Sequence, residues 1–134
     1  MTFSQMEQHI FHTMGEIKPE INLEPEPDLY YRPRSQTFES IDALCVRQGD
    51  YDELFQMTVA KTHGIKVRGL QEVLRYLTKK KVRIYFVVPA NIYPEFETQN
   101  YLTLQGKKYT QSLPWITDKV EVEQWVLKLN YFGF

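Results

Sequence analysis

Apolar residues open the chain at helical spacing. Phe3, Met6, Ile10, Met14 and Ile17 follow one another at intervals of three or four, which predicts an amphipathic helix bounded by Pro19. Glu7 falls beside that stripe, where an acid needs a partner or a purpose. The acids and prolines from Glu20 to Pro27 preclude regular structure, and Leu29, Tyr30 and Tyr31 then read as extended until Pro33, a residue suited to an edge strand or a strand end. Alternation predicts a strand over Thr37 to Val46, with Ile41, Ala43 and Cys45 on one face and Asp42, Leu44 and Val46 on the other. Gln48 to Asp52 supplies a turn through Gly49 and Asp50. Leu54 to Ala60 then returns as the second strand of an antiparallel hairpin, with Phe55, Met57 and Val59 opposite in facing to Gln56 and Thr58.

The period next changes from two to 3.6. Val67, Leu70, Val73, Leu74 and Leu77 mark a helix over Lys66 to Thr78, and the basic run Lys79 to Lys81 suits its C-terminal dipole. Arg83 to Val88 is β-branched and aromatic and ends at Pro89, the pattern of a buried central strand. Asn91 to Thr98 holds a short helical turn. In the tail, Val122, Trp125, Val126 and Leu129 have helical spacing while Trp125, Leu127 and Leu129 alternate; the strand is the preferred reading. The expected fold is a single α/β domain over residues 1–134, an α+β sandwich in the order helix, three-strand meander, helix, strand and mixed tail.

Composition supports a packed domain: 134 residues, 43% apolar, with 8 Phe, 9 Tyr and 2 Trp. Cys45 is the single cysteine, which excludes an internal disulfide or a multi-thiolate zinc site and fits a reducing, intracellular compartment. No apolar run approaches the roughly 20 residues that span a bilayer, and no secretion signal opens the chain, so no membrane partner is expected. The net charge of −1 conceals a division. Residues 1–28 carry six acids against Lys18, whereas residues 61–83 carry eight bases against Glu72. Lys61, Lys66, Arg68, Arg75 and Lys79 belong to that basic segment and are candidate phosphate contacts for DNA.

The candidate chemistry lies just before it. Asp42 on one hairpin strand and Gln56 and Thr58 on the next form a polar notch in an otherwise apolar pair. A hydrogen-bonded pair in a half-buried sheet is the plainer reading of Gln56 and Thr58. A metal-dependent nuclease needs carboxylates to hold Mg²⁺ beside the scissile phosphate and a cation or base to activate water. Only part of that inventory stands here.

Ser40-Ile41-Asp42-Ala43-Leu44, Gln56-Met57-Thr58-Val59 followed by His63-Gly64-Ile65-Lys66, and Tyr85-Phe86-Val87-Val88-Pro89, in this order of elements, resemble the C-terminal domain of Crinkler effectors and retrotransposon hot spot proteins. That domain is identified as a member of the PD-(D/E)XK restriction-endonuclease-like superfamily. The resemblance covers about residues 1–129 and implies that the chain is a fragment of a larger protein, acting in the host nucleus if it is a secreted effector. It implies a metal role for Asp42, with Gln56 where the second acid is usual, Thr58 where the lysine is usual, and Glu7 matching the glutamate of the first helix. Gln in place of Glu removes a charge from the metal site, and Thr in place of Lys removes the cation near the attacking water. Lys61 has a stem long enough to reach back. Two functions follow: a DNA nuclease using Mg²⁺ on Asp42 and Gln56, with Glu7, Thr58 and Lys61 in its site, or an inactive pseudo-nuclease that binds a protein partner.

Overall fold

A computed structural model describes residues 7–11, 29–33, 41–46, 50–77 and 79–129. It shows a mixed α/β fold built on a six-stranded sheet in the order β1-β2-β3-β4-β6-β8. The strands are β1 (Glu7–Phe11), β2 (Leu29–Pro33), β3 (Ala43–Val46), β4 (Tyr51–Met57), β6 (Lys81–Pro89) and β8 (Glu121–Leu129). A two-stranded sheet pairs β5 (Ile65–Lys66) with β7 (Tyr101–Leu102), and α1 (Val67–Tyr76) is the helix of the described residues.

The meander is present: β2, β3 and β4 pair antiparallel in sequence order. The helix expected around Glu7 is not. Glu7–Phe11 is a strand, parallel to β2 with Glu7 opposite Leu29 and Phe11 opposite Pro33. Apolar spacing favoured a helix, but a neighbouring strand satisfies the backbone equally well and suits His9, Ile10 and Phe11, which are poor helix formers. The rest of the predicted helix, the Glu20–Pro27 segment, the first part of the Thr37–Val46 strand and Thr78 lie outside the described residues. The second hairpin strand starts earlier than expected, because Tyr51 and Asp52 belong to β4 and not to the turn.

Beyond the meander the sheet becomes parallel. β6 pairs with β4 on one side and β8 on the other, in registers Leu54↔Ile84 and Ile84↔Gln124. The tail is therefore a strand, as its alternation favoured. Parallel neighbours require crossovers. One carries α1; the other, Ala90–Val120, carries short 3₁₀ turns at Tyr93–Glu95 and Pro114–Ile116. Both cover the same sheet face. There Leu44, Leu54, Ile84 and Phe86 meet Leu70 and Val73 of α1 and Ile92 and Trp115 of the second crossover in one cluster. Each large side chain fully buried there contributes about 1.5–3 kcal/mol relative to exposure.

α1 buries Val67, Leu70, Val73 and Leu74 and ends where Leu77 turns extended, its N–H donating to the Leu74 carbonyl. On the opposite sheet face Ala43, Cys45, Phe55 and Tyr85 form a second buried cluster, with the Phe55 and Tyr85 rings stacked at 5.3 Å. Cys45 is buried in this second cluster. Towards β8 the same face opens: Met57, Trp125, Leu127 and Leu129 are exposed, Trp125 by 45%.

Candidate functional site

The polar notch assembles at the end of the hairpin. The Asp42 N–H donates to the Phe55 carbonyl at 2.8 Å, extending the β3–β4 pairing by one residue before the chain bends. Asp42 therefore precedes the strand instead of lying within it, and Ile41 joins the helix-side core, away from Ala43 and Cys45. That bend turns the carboxylate across the end of β4. Its Oδ2 accepts the Met57 N–H at 2.7 Å and a Gln56 Nε2–H at 3.2 Å. A carboxylate holding a backbone N–H is a charge-assisted bond, so Asp42 fastens the strand end where ordinary pairing stops.

The other candidates are engaged elsewhere. The Thr58 N–H donates to the Val87 carbonyl, and Thr58 Oγ1 accepts the Ala60 N–H at 3.1 Å, closing a local turn. Lys61 does not reach back to Asp42; its ammonium pairs with Glu95 at 2.5 Å, and that hydrogen bond holds the Glu95 carboxyl below its usual range. Glu7 stands on the row Glu7–Leu29–Val46, whereas Asp42 stands beyond Ala43 at the other end of β3. Four residues of strand separate the two rows, roughly 13 Å along the sheet. The structure thus brings Asp42 and Gln56 together and keeps Glu7 and Lys61 away from them.

The donor set does not fit Mg²⁺. A hard divalent cation takes six or more oxygens, usually including carboxylates. Among the described residues one carboxylate stands at this notch, one of its oxygens already accepts two N–H donors, and Gln56 turns its amide nitrogen towards it. Among the described residues no group of three or more His, Cys, Asp and Glu side chains is placed to share a metal.

No family model, curated protein or solved structure matches the chain.

The basic segment is also divided by the fold. Lys66 donates to the Thr103 and Leu104 carbonyls, and Lys79 pairs with Asp52 at 3.1 Å. Arg68 and Arg75 remain exposed on α1. Asp52 is a residue whose partner the sequence did not reveal: it is fully buried, its Oδ2 has no hydrogen-bond partner, and burial raises its carboxyl pKa against the pull of Lys79.

Two further clusters escaped the sequence. Gln99, buried behind the Lys61 loop, accepts the His63 N–H, donates to the Glu97 carbonyl, and exchanges main-chain and side-chain bonds with Gln124 of β8. On the open face the Arg83 guanidinium lies 3.8 Å from the Tyr51 ring centre and 4.6 Å from that of Trp125. It bonds Glu123 Oε2 at 3.1 Å, while the Trp125 indole N–H donates to the same oxygen at 2.9 Å. These donors, the indole foremost, lower the Glu123 pKa. Alternation in the tail signalled Trp125, Leu127 and Leu129 on one face; Glu123 and the parallel neighbour that supplies Arg83 had no local signal.

Proposed function

We propose that the chain is a restriction-endonuclease-like domain that no longer cleaves nucleic acid and serves as a protein interaction module. The antiparallel meander, helix and parallel strand β6 support the fold reading, since they follow the order that the resemblance implies. The observation that carries the functional reading is the Asp42 carboxylate, spent on the Met57 N–H and Gln56 as a strand-end fastening. The open sheet face with Trp125, Leu127, Leu129 and Met57 provides the docking surface such a module requires.

Incubating the protein with plasmid and Mg²⁺ or Mn²⁺ tests it. No cleavage above that of Asp42→Ala is expected, and Mn²⁺ should not raise the melting temperature. Saturating a real site at 100 times its dissociation constant adds about 2.7 kcal/mol. Cleavage or a thermal shift that disappears in Asp42→Ala overturns the reading.

A second reading, binding to DNA, is favoured by the exposed Arg68 and Arg75 on one helix. It predicts affinity that falls steeply with salt and weakens in Arg68→Ala/Arg75→Ala.

A further inference from the structure

The helix side of the sheet holds a cleft remote from the Asp42 notch. Lys80 precedes β6 and Val120 precedes β8, so both stand at the end of the parallel strands opposite to Met57. Lys81 and Val87, the β6 partners of Tyr51 and Met57, are six residues apart, roughly 20 Å of strand. At that end the last turns of α1 face the loop before β8 across a cleft of about 230 Å³. Sites for drug-sized ligands span roughly 300–1,000 Å³, so the occupant of this one is small. The backbone sets its walls. Gln71 and Arg75 are four positions apart on α1 and share one face of it. The Glu121 N–H donates to the Lys80 carbonyl at 2.7 Å and the Val120 N–H to the Trp115 carbonyl at 3.2 Å, which ties Lys80 and the loop to the start of the ladder.

Three kinds of group meet in the cleft. Arg75 and Lys80 supply cations, Asp118 supplies a carboxylate, and Leu74, Leu77, Trp115 and Val120 supply an apolar floor. The three charged side chains are exposed and form no ion pair, with one another or elsewhere among the described residues. Trp115 is 4% exposed, yet its indole N–H has no acceptor among the described residues. Buried indoles ordinarily find one, and the cleft that Trp115 lines is where an acceptor enters. The charges then decide the ligand class. A dianion such as a phosphate monoester gains from Arg75 and Lys80 but is opposed by Asp118. A simple carboxylate leaves Asp118 without a counter-charge. A small zwitterion with an apolar body answers all three kinds of group at once.

We propose that this cleft binds a free α-amino acid with an apolar side chain. Arg75 and Lys80 hold its carboxylate, Asp118 holds its ammonium, and the side chain displaces water from Leu77 and Val120. The assignment goes beyond the interaction-module reading and does not depend on it, because the cleft and the open face are on opposite sides of the sheet.

Isothermal titration calorimetry of the full chain with L-leucine and L-phenylalanine tests it. Two companions of leucine dissect the contacts: 4-methylpentanoate lacks the ammonium, and leucinamide lacks the carboxylate. Leucine should bind saturably with a dissociation constant of roughly 1 mM or below, and each companion about tenfold more weakly, the ratio expected for one lost charge-assisted bond. Arg75→Gln should weaken leucine about tenfold without weakening leucinamide. Asp118→Asn should weaken leucine by a similar factor without weakening 4-methylpentanoate, a change of selectivity that a merely structural role does not produce. Both side chains are exposed, so both variants should keep their melting temperatures. Absence of saturable binding by either amino acid overturns the assignment. So does 4-methylpentanoate binding as tightly as leucine, which describes a plain anion site, or leucine affinity that neither variant alters.

Discussion

Lys79→Met leaves the Asp52 carboxylate inside β4 without its cation. Asp52 has no exposed surface, and only Oδ1 has a hydrogen-bonding partner, the ammonium 3.1 Å away. Removing one member of a buried pair costs about 3–5 kcal/mol because the other charge stays desolvated. The lower end, about 3 kcal/mol, suits a pair whose lysine is 19% exposed, and for a chain of this length it lowers the melting temperature by about 10 °C. Asp52→Val should cost less, about 1 kcal/mol, since the Lys79 side chain already reaches solvent, whereas the Asp52 carboxylate does not. The double variant Asp52→Val/Lys79→Met should lie within about 1 kcal/mol of the parent, because an apolar pair needs no compensation. The pH dependence carries a definite sign. Burial raises the native Asp52 pKa above its unfolded value of 3.8, so the native state holds the proton more tightly. The contribution of this group is then full below 3.8 and is lost as pH rises through the native pKa. Lys79 pulls that pKa down, so its removal raises it further, and the deficit of Lys79→Met should be smaller at an acid pH than at neutral pH. Urea denaturation followed by tryptophan fluorescence measures all four proteins. A Lys79→Met deficit equal at both pH values, or a double variant as unstable as the single, refutes the argument.

Other outcomes follow from the same geometry. Asp42→Ala strips Met57 and Gln56 of their shared acceptor and should lower stability by about 1.5–3 kcal/mol, whereas Asp42→Asn, which keeps an oxygen, should lose less; thermal melts compare them. Gly64→Ala drives its Cβ to 2.1 Å from Leu102 Cδ1 and should cost about 1–3 kcal/mol in chemical denaturation, with partial recovery in Gly64→Ala/Leu102→Ala. Phe86→Ala empties a core position beneath Phe96 and should cost about 3–5 kcal/mol by the same measurement. Arg83→Lys gives up the planar stacking between Tyr51 and Trp125, and its signature should be a changed Trp125 emission in the folded state, read in a Trp115→Phe background.

The sequence was most informative where one signal dominated. The stripe Val67, Leu70, Val73, Leu74 admits only a helix, and the uninterrupted run before Pro89 admits only an interior strand. Asp42 and Gln56 could be paired because a hairpin is local and its register follows from its turn. Asp52 could not: beside Gly49 and Asp50 it looked like a turn residue, and its cation lies 27 positions away, beyond α1. The strand at Glu7–Phe11 was hidden for a different reason. Its apolar spacing is compatible with a helix, and only a parallel neighbour, Leu29–Pro33, tips the balance. Arg83 and Glu123 met the same obstacle, since the order of strands in a parallel sheet is not written in any one strand.

The parallel half of the sheet also governs how quickly the native state can be reached. β4 joins β6 only after the chain has closed across α1, and β6 joins β8 only after it has closed across the whole segment from Ala90 to Val120. Each closure loses chain entropy before any ladder bond repays it, and contacts so remote in sequence slow folding relative to helical bundles of equal stability. The meander and α1 are local and suit an early nucleus, with β6 docking second and β8 last. Until β8 arrives, the Tyr85 side of β6 and its free backbone edge stand open to pairing with other chains, so refolding yield should fall with protein concentration more steeply than native stability alone predicts.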